Sequence, residues 1–393
     1  MSETRTTLIA LFLRFLRFGL LAWGGPVAQI AMLKRELVEE EKWLSPQRFN
    51  RLLAIYQVLP GPEAHELCVH LGMMQRGRLG GILAGLGFML PGLLLILVLA
   101  ALYQRIDLTH PILAASFLGI QVGVVALIVR AVHRIADHAL ADPWLWSVAL
   151  VSAAATVLGV GFWIILPVAG AAYAALAARR FAVAAIVAAG AVLFSLAIGT
   201  PTVSVDPQFP AAPAGVAALF FSGLKAGLLT FGGAYTAIPF VRGDAVGRGW
   251  VTDAQFLDSL ALSGIIPAPL IIFATFVGYL AGGLTGALAM TAGIFLPAFG
   301  LALLYYDRLE RVIEDERLHR FLEGVAAGVV GLIAVTAFQL GIHVAAGAPS
   351  LPVVIAIFAV ALGLLYFWRS KLAVPAVVLG SGLAGLFFFG GTH

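Results

Sequence analysis

The chain has 393 residues, 61% of them apolar and 11% charged, with a mean hydropathy of +1.00. A soluble domain carries roughly 25% charged residues, so this composition excludes a sizeable water-soluble domain and points to an integral membrane protein. The pI near 9.4 comes from arginines in short loops rather than from a basic tail, which bears on membrane orientation and not on nucleic acid, and the single Cys68 excludes an internal disulfide.

Apolar windows of about 20 residues, the length that crosses a hydrocarbon core about 30 Å thick, recur along the chain. The first, residues 8–33, has no small-residue cleavage site before Trp23-Gly24-Gly25 and reads as a retained helix rather than a leader. Further spans are expected at 50–73, 79–103, 112–131, 144–160 and 162–178, the last two short. An unmatched span at 181–199 and the Pro-rich stretch TPTVSVDPQFPAAPAG follow. Six more spans are expected at 214–241, 254–281, 284–306, 320–343, 350–367 and 373–390, which makes an all-α protein of about 13 transmembrane helices.

The second set repeats the first. RFGLLAWGGPVAQI resembles KAGLLTFGGAYTAI 208 positions later, and Pro60-Gly61-Pro62 recurs as Pro267-Ala268-Pro269 at 207. Gly72, Gly77, Gly80, Gly87 and Pro91 recur as Gly278, Gly283, Gly286, Gly293 and Pro297 at 206. Offsets that drift by single residues mark loop insertions in a duplicated unit. The expected domains are a first six-helix repeat at 6–180, a linker helix and Pro-rich loop at 181–213, and a second repeat at 214–391. One linker helix after six spans turns the second repeat upside down. Alternation of the spans gathers Arg5, Arg76, Arg78, Arg130, Arg134, Arg179, Arg180, Arg242, Arg248, Arg308, Arg311, Arg317, Arg320, Arg369 and Lys371 on one face and leaves Arg105 and the mixed loop after the first span on the other, which sets the N-terminus inside and the C-terminus outside.

Inverted repeats with helices interrupted near mid-membrane are a design of secondary transporters. Each repeat offers two breaks, Gly24-Gly25 with Gly232-Gly233, and Pro60-Gly61-Pro62 with Pro267-Ala268-Pro269. A proline removes a backbone donor and suits the first residue of a new helix, so each half-helix that follows a Pro-x-Pro turns free N–H groups and a positive dipole end toward the centre, where they favour an anion. Packing notches and kinks are the alternative reading of the same residues. Arg17 and its equivalent Lys225 fall near mid-depth of their spans; they either face a cavity, as buried cations in lipid do, or snorkel to an interface. Glu63, His65, Glu66 and His70 have no counterpart in the second repeat. Glu63 either stabilises a helix N-terminus or carries a proton, with Glu66 and His65 as further proton-coupling candidates, and His65, Glu66 and His70 are expected to be solvated or to line the site.

Other chemistry fails on spacing. In His65-Glu66-Leu67-Cys68-Val69-His70 the second histidine falls at i+5, whereas a zinc helix needs i+4. No lysine closes a phosphate-binding loop and no serine sits in a G-x-S-x-G elbow. FGLLAWGG, LPGPEA, GLLTFGGAYTAIP and Phe295-Leu296-Pro297 resemble the chromate ion transporter family in its two-domain form, over nearly the whole chain. That resemblance implies a non-enzymatic secondary transporter that exports chromate, a tetrahedral dianion, across a bacterial inner membrane, coupled to protons or to membrane potential. It places the family's motifs on Gly24, Gly25, Pro60, Gly61, Pro62, Glu63, Gly232, Gly233, Pro267 and Pro269, with Ala268 departing from Gly61. Sulfate or another oxyanion is the alternative substrate, and a membrane-embedded enzyme or lipid-handling protein is the alternative class. The expected partners are the oxyanion and the lipid bilayer, with a homodimer left open, and no nucleic acid, cofactor or metal.

Overall fold

The computed structural model describes residues 7–107, 110–180, 182–183, 190, 214–304, 315–368 and 370–390. The linker span at 181–199 and the Pro-rich stretch lie almost wholly outside them.

All described secondary structure is helical apart from one isolated bridge. In chain order the first half holds α1 (Leu8–Leu20), α2 (Gly25–Leu33, prolonged by a π-helical stretch Lys34–Glu40), α3 (Pro46–Val58), α4 (Glu63–Tyr103), α5 (Pro111–Ala139), α6 (Pro143–Val157) and α7 (Phe162–Ala177). The second holds α8 (Val216–Leu228), a 3-10 turn (Ala234–Ala237), α9 (Ile238–Ala245), α10 (Asp253–Gly264), a 3-10 turn (Leu270–Ile272), α11 (Phe273–Leu304), α12 (Glu316–Gly347), α13 (Leu351–Phe367) and α14 (Ala373–Phe389). Among the described residues four helices are long and apolar enough to cross a membrane: α4, α5, α11 with its 3-10 turn, and α12. Large apolar side chains face outward, Phe387 at 79%, Phe338 at 69% and Leu150 at 66% exposure. A water-soluble protein would rarely expose so much; a lipid-facing one does.

Two of these long helices are folded in the middle. Gly77 (φ 61°, ψ −158°) and Gly283 (φ 63°, ψ −157°) share one left-handed conformation, and the residues before them, Arg76 (φ −142°, ψ 29°) and Gly282 (φ −151°, ψ 23°), are also alike. L-residues seldom adopt it, so glycine is required. The chain reverses there. A Cβ on Gly72 would run into Gly80 and Ala84, and one on Gly278 would run into Gly286 and Met290. Each long helix is therefore a close antiparallel pair, 63–75 with 78–103 and 273–281 with 284–304. The separation of 50–73 from 79–103 expected from the sequence holds.

The breaks are present at all four expected places, but they do more than interrupt. Arg17 and Glu36, 19 residues apart and thus about 28 Å apart along a continuous helix, pair at 3.3 Å. Arg14 likewise reaches Glu41. The chain thus doubles back at Gly24–Gly25, whose φ values are 87° and 76°. Tyr56 and His70 meet at 2.7 Å across the Pro-x-Pro break. In the second half Lys225 pairs with Asp244, and the rings of Phe256 and Phe273 lie 5.8 Å apart. The expectation of through-running spans at 8–33, 50–73, 214–241 and 254–281 is corrected by these contacts: each is a helical hairpin with its break at the tip. Hydropathy counts apolar residues without regard to direction, so two half-helices look like one crossing.

Behind the hairpins, the 78–103 and 284–304 segments pack antiparallel, with Gly81 against Leu303 and Gly85 against Phe299. α6 and α7, only 15 and 16 residues long, flank α12, and α14 lies along α5 through Gly119, Gly123, Ser381 and Gly385.

Candidate functional site

The four tips meet in crossed pairs. The Pro-x-Pro tip of the first half joins the Gly-Gly tip of the second: the Gly61 N–H donates to the Thr230 carbonyl at 2.8 Å, and Pro60 forms an antiparallel bridge with Phe231. The other pair is held by a side chain. The buried Gln29 amide nitrogen donates to the Ala22 carbonyl at 2.9 Å and to the Ala268 carbonyl at 3.1 Å, so one residue ties the first Gly-Gly tip to the second Pro-x-Pro tip. Unwound backbone inside a membrane protein needs such partners. Pro267 and Pro269 frame Ala268, whose methyl packs against Gly92 of α4.

A cavity lies beside each crossing. The larger, about 620 Å³, is lined by Pro26, Arg51, Gln57, Glu63, Arg134, His138, Phe231, Gly232, Gly233, His319 and Glu323. The smaller, about 170 Å³, is lined by Gly24, Gly25, Pro26, Arg130, Arg134, Tyr235, Ser263, Ala268 and Trp368, among others. A Cβ on Gly25 or Gly233 would meet nothing within 4 Å, so both backbones face open space. Arg134 and Pro26 belong to both cavities. Among the described residues neither Arg130 nor Arg134 pairs with a carboxylate; they lie over the rings of Tyr366 (4.5 Å) and Tyr235 (6.0 Å). A guanidinium whose donors are not spent on a carboxylate can grip an oxyanion with two parallel hydrogen bonds.

The residues expected from the sequence divide. Gly24, Gly25, Glu63, Gly232, Gly233 and Ala268 line the cavities, and Pro60, Gly61, Pro62, Pro267 and Pro269 form the tips beside them. Arg17 and Lys225 line neither cavity. Each sits in the last turn of its half-helix, where a cation suits the negative dipole end, and each pairs with an acid 19 residues on, Glu36 and Asp244. Arg17 remains 62% exposed, whereas Lys225 is enclosed and lies 4.9 Å from the centre of the Phe162 ring. His65, Glu66 and His70 are corrected from solvated or lining to buried, at 0%, 0% and 3% exposure. The fold-back packs the 63–75 helix against α3, the 78–103 helix and α11 at once. His65 is wedged between the rings of Phe295 and Phe299, and both oxygens of Glu66, beside Gly61, lack a hydrogen-bond partner among the described residues.

Sequence reading missed Arg51, Arg134, His138, Gln29 and Tyr235. It closed the fourth span at residue 131, leaving Arg134 to a loop, whereas α5 runs on to Ala139. The acid partners carried a usable signal, because Glu36 and Asp244 recur at the same 208-residue offset as Arg17 and Lys225.

Comparison with known proteins adds the family. The family described as Chromate transporter matches residues 9–205 and 217–386. The chain is 60% identical over 382 residues to the chromate transport protein of Pseudomonas aeruginosa, covering 96% of this chain and 92% of that one. It is 30% identical to the chromate transport protein of Cupriavidus metallidurans (97% and 93% covered) and 29% identical to a probable chromate transport protein of Synechococcus elongatus (95% and 94%). No solved structure matches. The two matched segments contain the hairpin tips and turns described above, and the chain belongs to the chromate transporter family.

Proposed function

We propose that this protein is a secondary transporter that moves chromate outward across a bacterial inner membrane, binding the dianion at the crossed hairpin tips between Gly24-Gly25 and Gly232-Gly233. The observation that carries this reading is Arg134, a guanidinium that has no carboxylate partner among the described residues and that lines both cavities beside both glycine tips. The half-helix ends at Pro62 and Pro269 add positive dipole. The domains are read as repeats at 6–180 and 214–391, joined by 181–213 and inserted in opposite directions; the antiparallel packing of the equivalent 78–103 and 284–304 helices supports that inversion. Hairpins that enter and leave on one face put the basic loop at 34–48 beside Arg76 and Arg78, which supports a cytoplasmic N-terminus. Arg242 and Arg248 then fall on the opposite face, paired with Asp253 and Asp244.

An inside-negative potential favours export of a dianion by about 2.3 kcal/mol per charge per 100 mV. Glu63, in the larger cavity opposite Arg134, is the candidate that links proton movement to anion movement. Uptake of radiolabelled chromate into everted vesicles tests the reading. Uptake above protein-free vesicles, reduced by a protonophore and resisted by excess sulfate, is expected; a flux that sulfate abolishes would make sulfate the substrate, and no flux would refute transport of either.

A further inference from the structure

The second half carries a buried acid that the transport reading does not use. Asp258, in the middle of α10, is 1% exposed. Its Oδ2 accepts a hydrogen bond from the Tyr103 hydroxyl at 2.7 Å and its Oδ1 accepts one from the Gln121 amide at 3.0 Å. Both donors are neutral and both stand on first-half helices, α4 and α5. α10 packs against α4, α5, α11, α12 and α14, and the one titratable side chain these present to Asp258 is Tyr103; among the described residues no lysine, arginine or histidine pairs with it. Tyr103 is itself fixed by the rings of Phe117 and Phe276, at 5.8 and 5.1 Å.

We propose that Asp258 is a proton-binding site whose occupancy sets how the first half grips the hairpin that walls the smaller cavity. A buried carboxylate without a cation costs several kcal/mol, and taking up a proton removes that cost. Asp258 keeps a hydrogen-bond partner on each oxygen in either state. Ionised, Asp258 accepts from Tyr103 and Gln121 as observed. Protonated, it becomes a donor, and a tyrosine hydroxyl or the oxygen of a flipped glutamine amide can accept. One of the two hydrogen bonds, to Tyr103 or to Gln121, therefore reverses with the proton while the other carboxyl oxygen goes on accepting. Ser263, Gly264, Ile266 and Ala268, at the end of the same hairpin arm and its tip, line the smaller cavity, so a change of grip at Asp258 reaches the cavity wall. The equivalent position in the first half, 207 residues earlier, is Arg51, which lines the larger cavity. The two halves thus place opposite charges at one position, a cation open to the cavity and an acid sealed behind it.

The consequence for coupling rests on the transport reading; the proton site does not, and two measurements separate them. The first is pH-difference infrared spectroscopy of the purified protein in lipid nanodiscs, over roughly pH 5 to 9. Wild type is expected to show a carboxyl C=O band that titrates, that is missing from Asp258→Asn and shifted in Tyr103→Phe. Identical spectra in wild type and both variants overturn the proposal. Tyr103→Phe keeps the test decisive should Asp258→Asn fail to fold. The second compares chromate exchange at equal concentrations with chromate flux driven by a pH gradient. Asp258→Asn is expected to lower the driven flux about tenfold, the weight of one pKa unit in proton occupancy, while exchange stays within about twofold. An equal fall in both marks a structural role and overturns the coupling claim. A wild type that moves no chromate refutes the transport reading, while the infrared result still decides the proton site.

Discussion

The two tip crossings are built from equivalent segments and held in different ways. At the larger cavity the crossing is backbone to backbone, Gly61 N–H to Thr230 carbonyl, and an otherwise largely apolar lining carries Arg51, Glu63, His319 and Glu323. At the smaller one the backbones are bridged by Gln29, and the Pro-x-Pro arm offers Ile266, Ala268 and Leu270. Backbone geometry is thus repeated, down to the φ/ψ values of Gly77 and Gly283, while side-chain chemistry has diverged. The two crossings share a backbone shape and differ in the side chains that surround it.

Substitutions break or sharpen that comparison. The largest effect is expected from Arg134→Gln, because this side chain serves both cavities: chromate affinity should fall about tenfold or more, with Arg134→Lys intermediate since an ammonium cannot form the two-pronged contact. Next comes Glu63→Gln, for which chromate flux driven by a pH gradient should drop about tenfold while exchange persists; one pKa unit of lost proton linkage has that weight. The mirror substitution Leu270→Glu should confer no new pH response on the smaller cavity. Third, Gly61→Ala places a methyl against the Glu66 carboxylate at a φ of 149°, which should cost roughly 1–3 kcal/mol, read as a lowered Tm, whereas Ala268→Gly at the equivalent tip should cost 1 kcal/mol or less, about the backbone entropy of one glycine. Fourth, Gln29→Ala strands the Ala22 and Ala268 carbonyls and should lower stability by about 1–3 kcal/mol. The smallest effect on transport is expected from Arg17→Gln, because this side chain lines neither cavity and is itself 62% exposed, although its partner Glu36 is buried; chromate flux should stay within about twofold of wild type.

The breaks were legible because they depend on residue types with one backbone meaning. A Gly-Gly pair and a Pro-x-Pro announce non-helical backbone wherever they stand, and their repetition 207 and 208 residues later tied them to the architecture. Direction was not legible. Residues 8–33 have the composition of one crossing whether the chain continues at Gly24 or returns, and it is contacts such as that between Arg17 and Glu36 that show the return. The same contact removed Arg17 from the candidate site, since depth in a span says nothing of a partner 19 residues away. Arg134 was hidden for a different reason: the apolar run ends before it, while the helix, held by packing rather than by hydropathy, continues to Ala139. Glu66 was legible as an anomaly of the first half, yet its burial follows from the hairpin that the sequence did not reveal.

The central claim is that the oxyanion sits at the crossed tips under Arg134 and not beside the paired cations Arg17 and Lys225. Equilibrium binding of chromate to purified, folded Arg134→Gln and Arg17→Gln, each compared with wild type in the same nanodiscs, tests it most directly. Affinity should fall about tenfold or more in the first and stay within about twofold in the second; undiminished binding by Arg134→Gln, or loss of binding by Arg17→Gln, would contradict it.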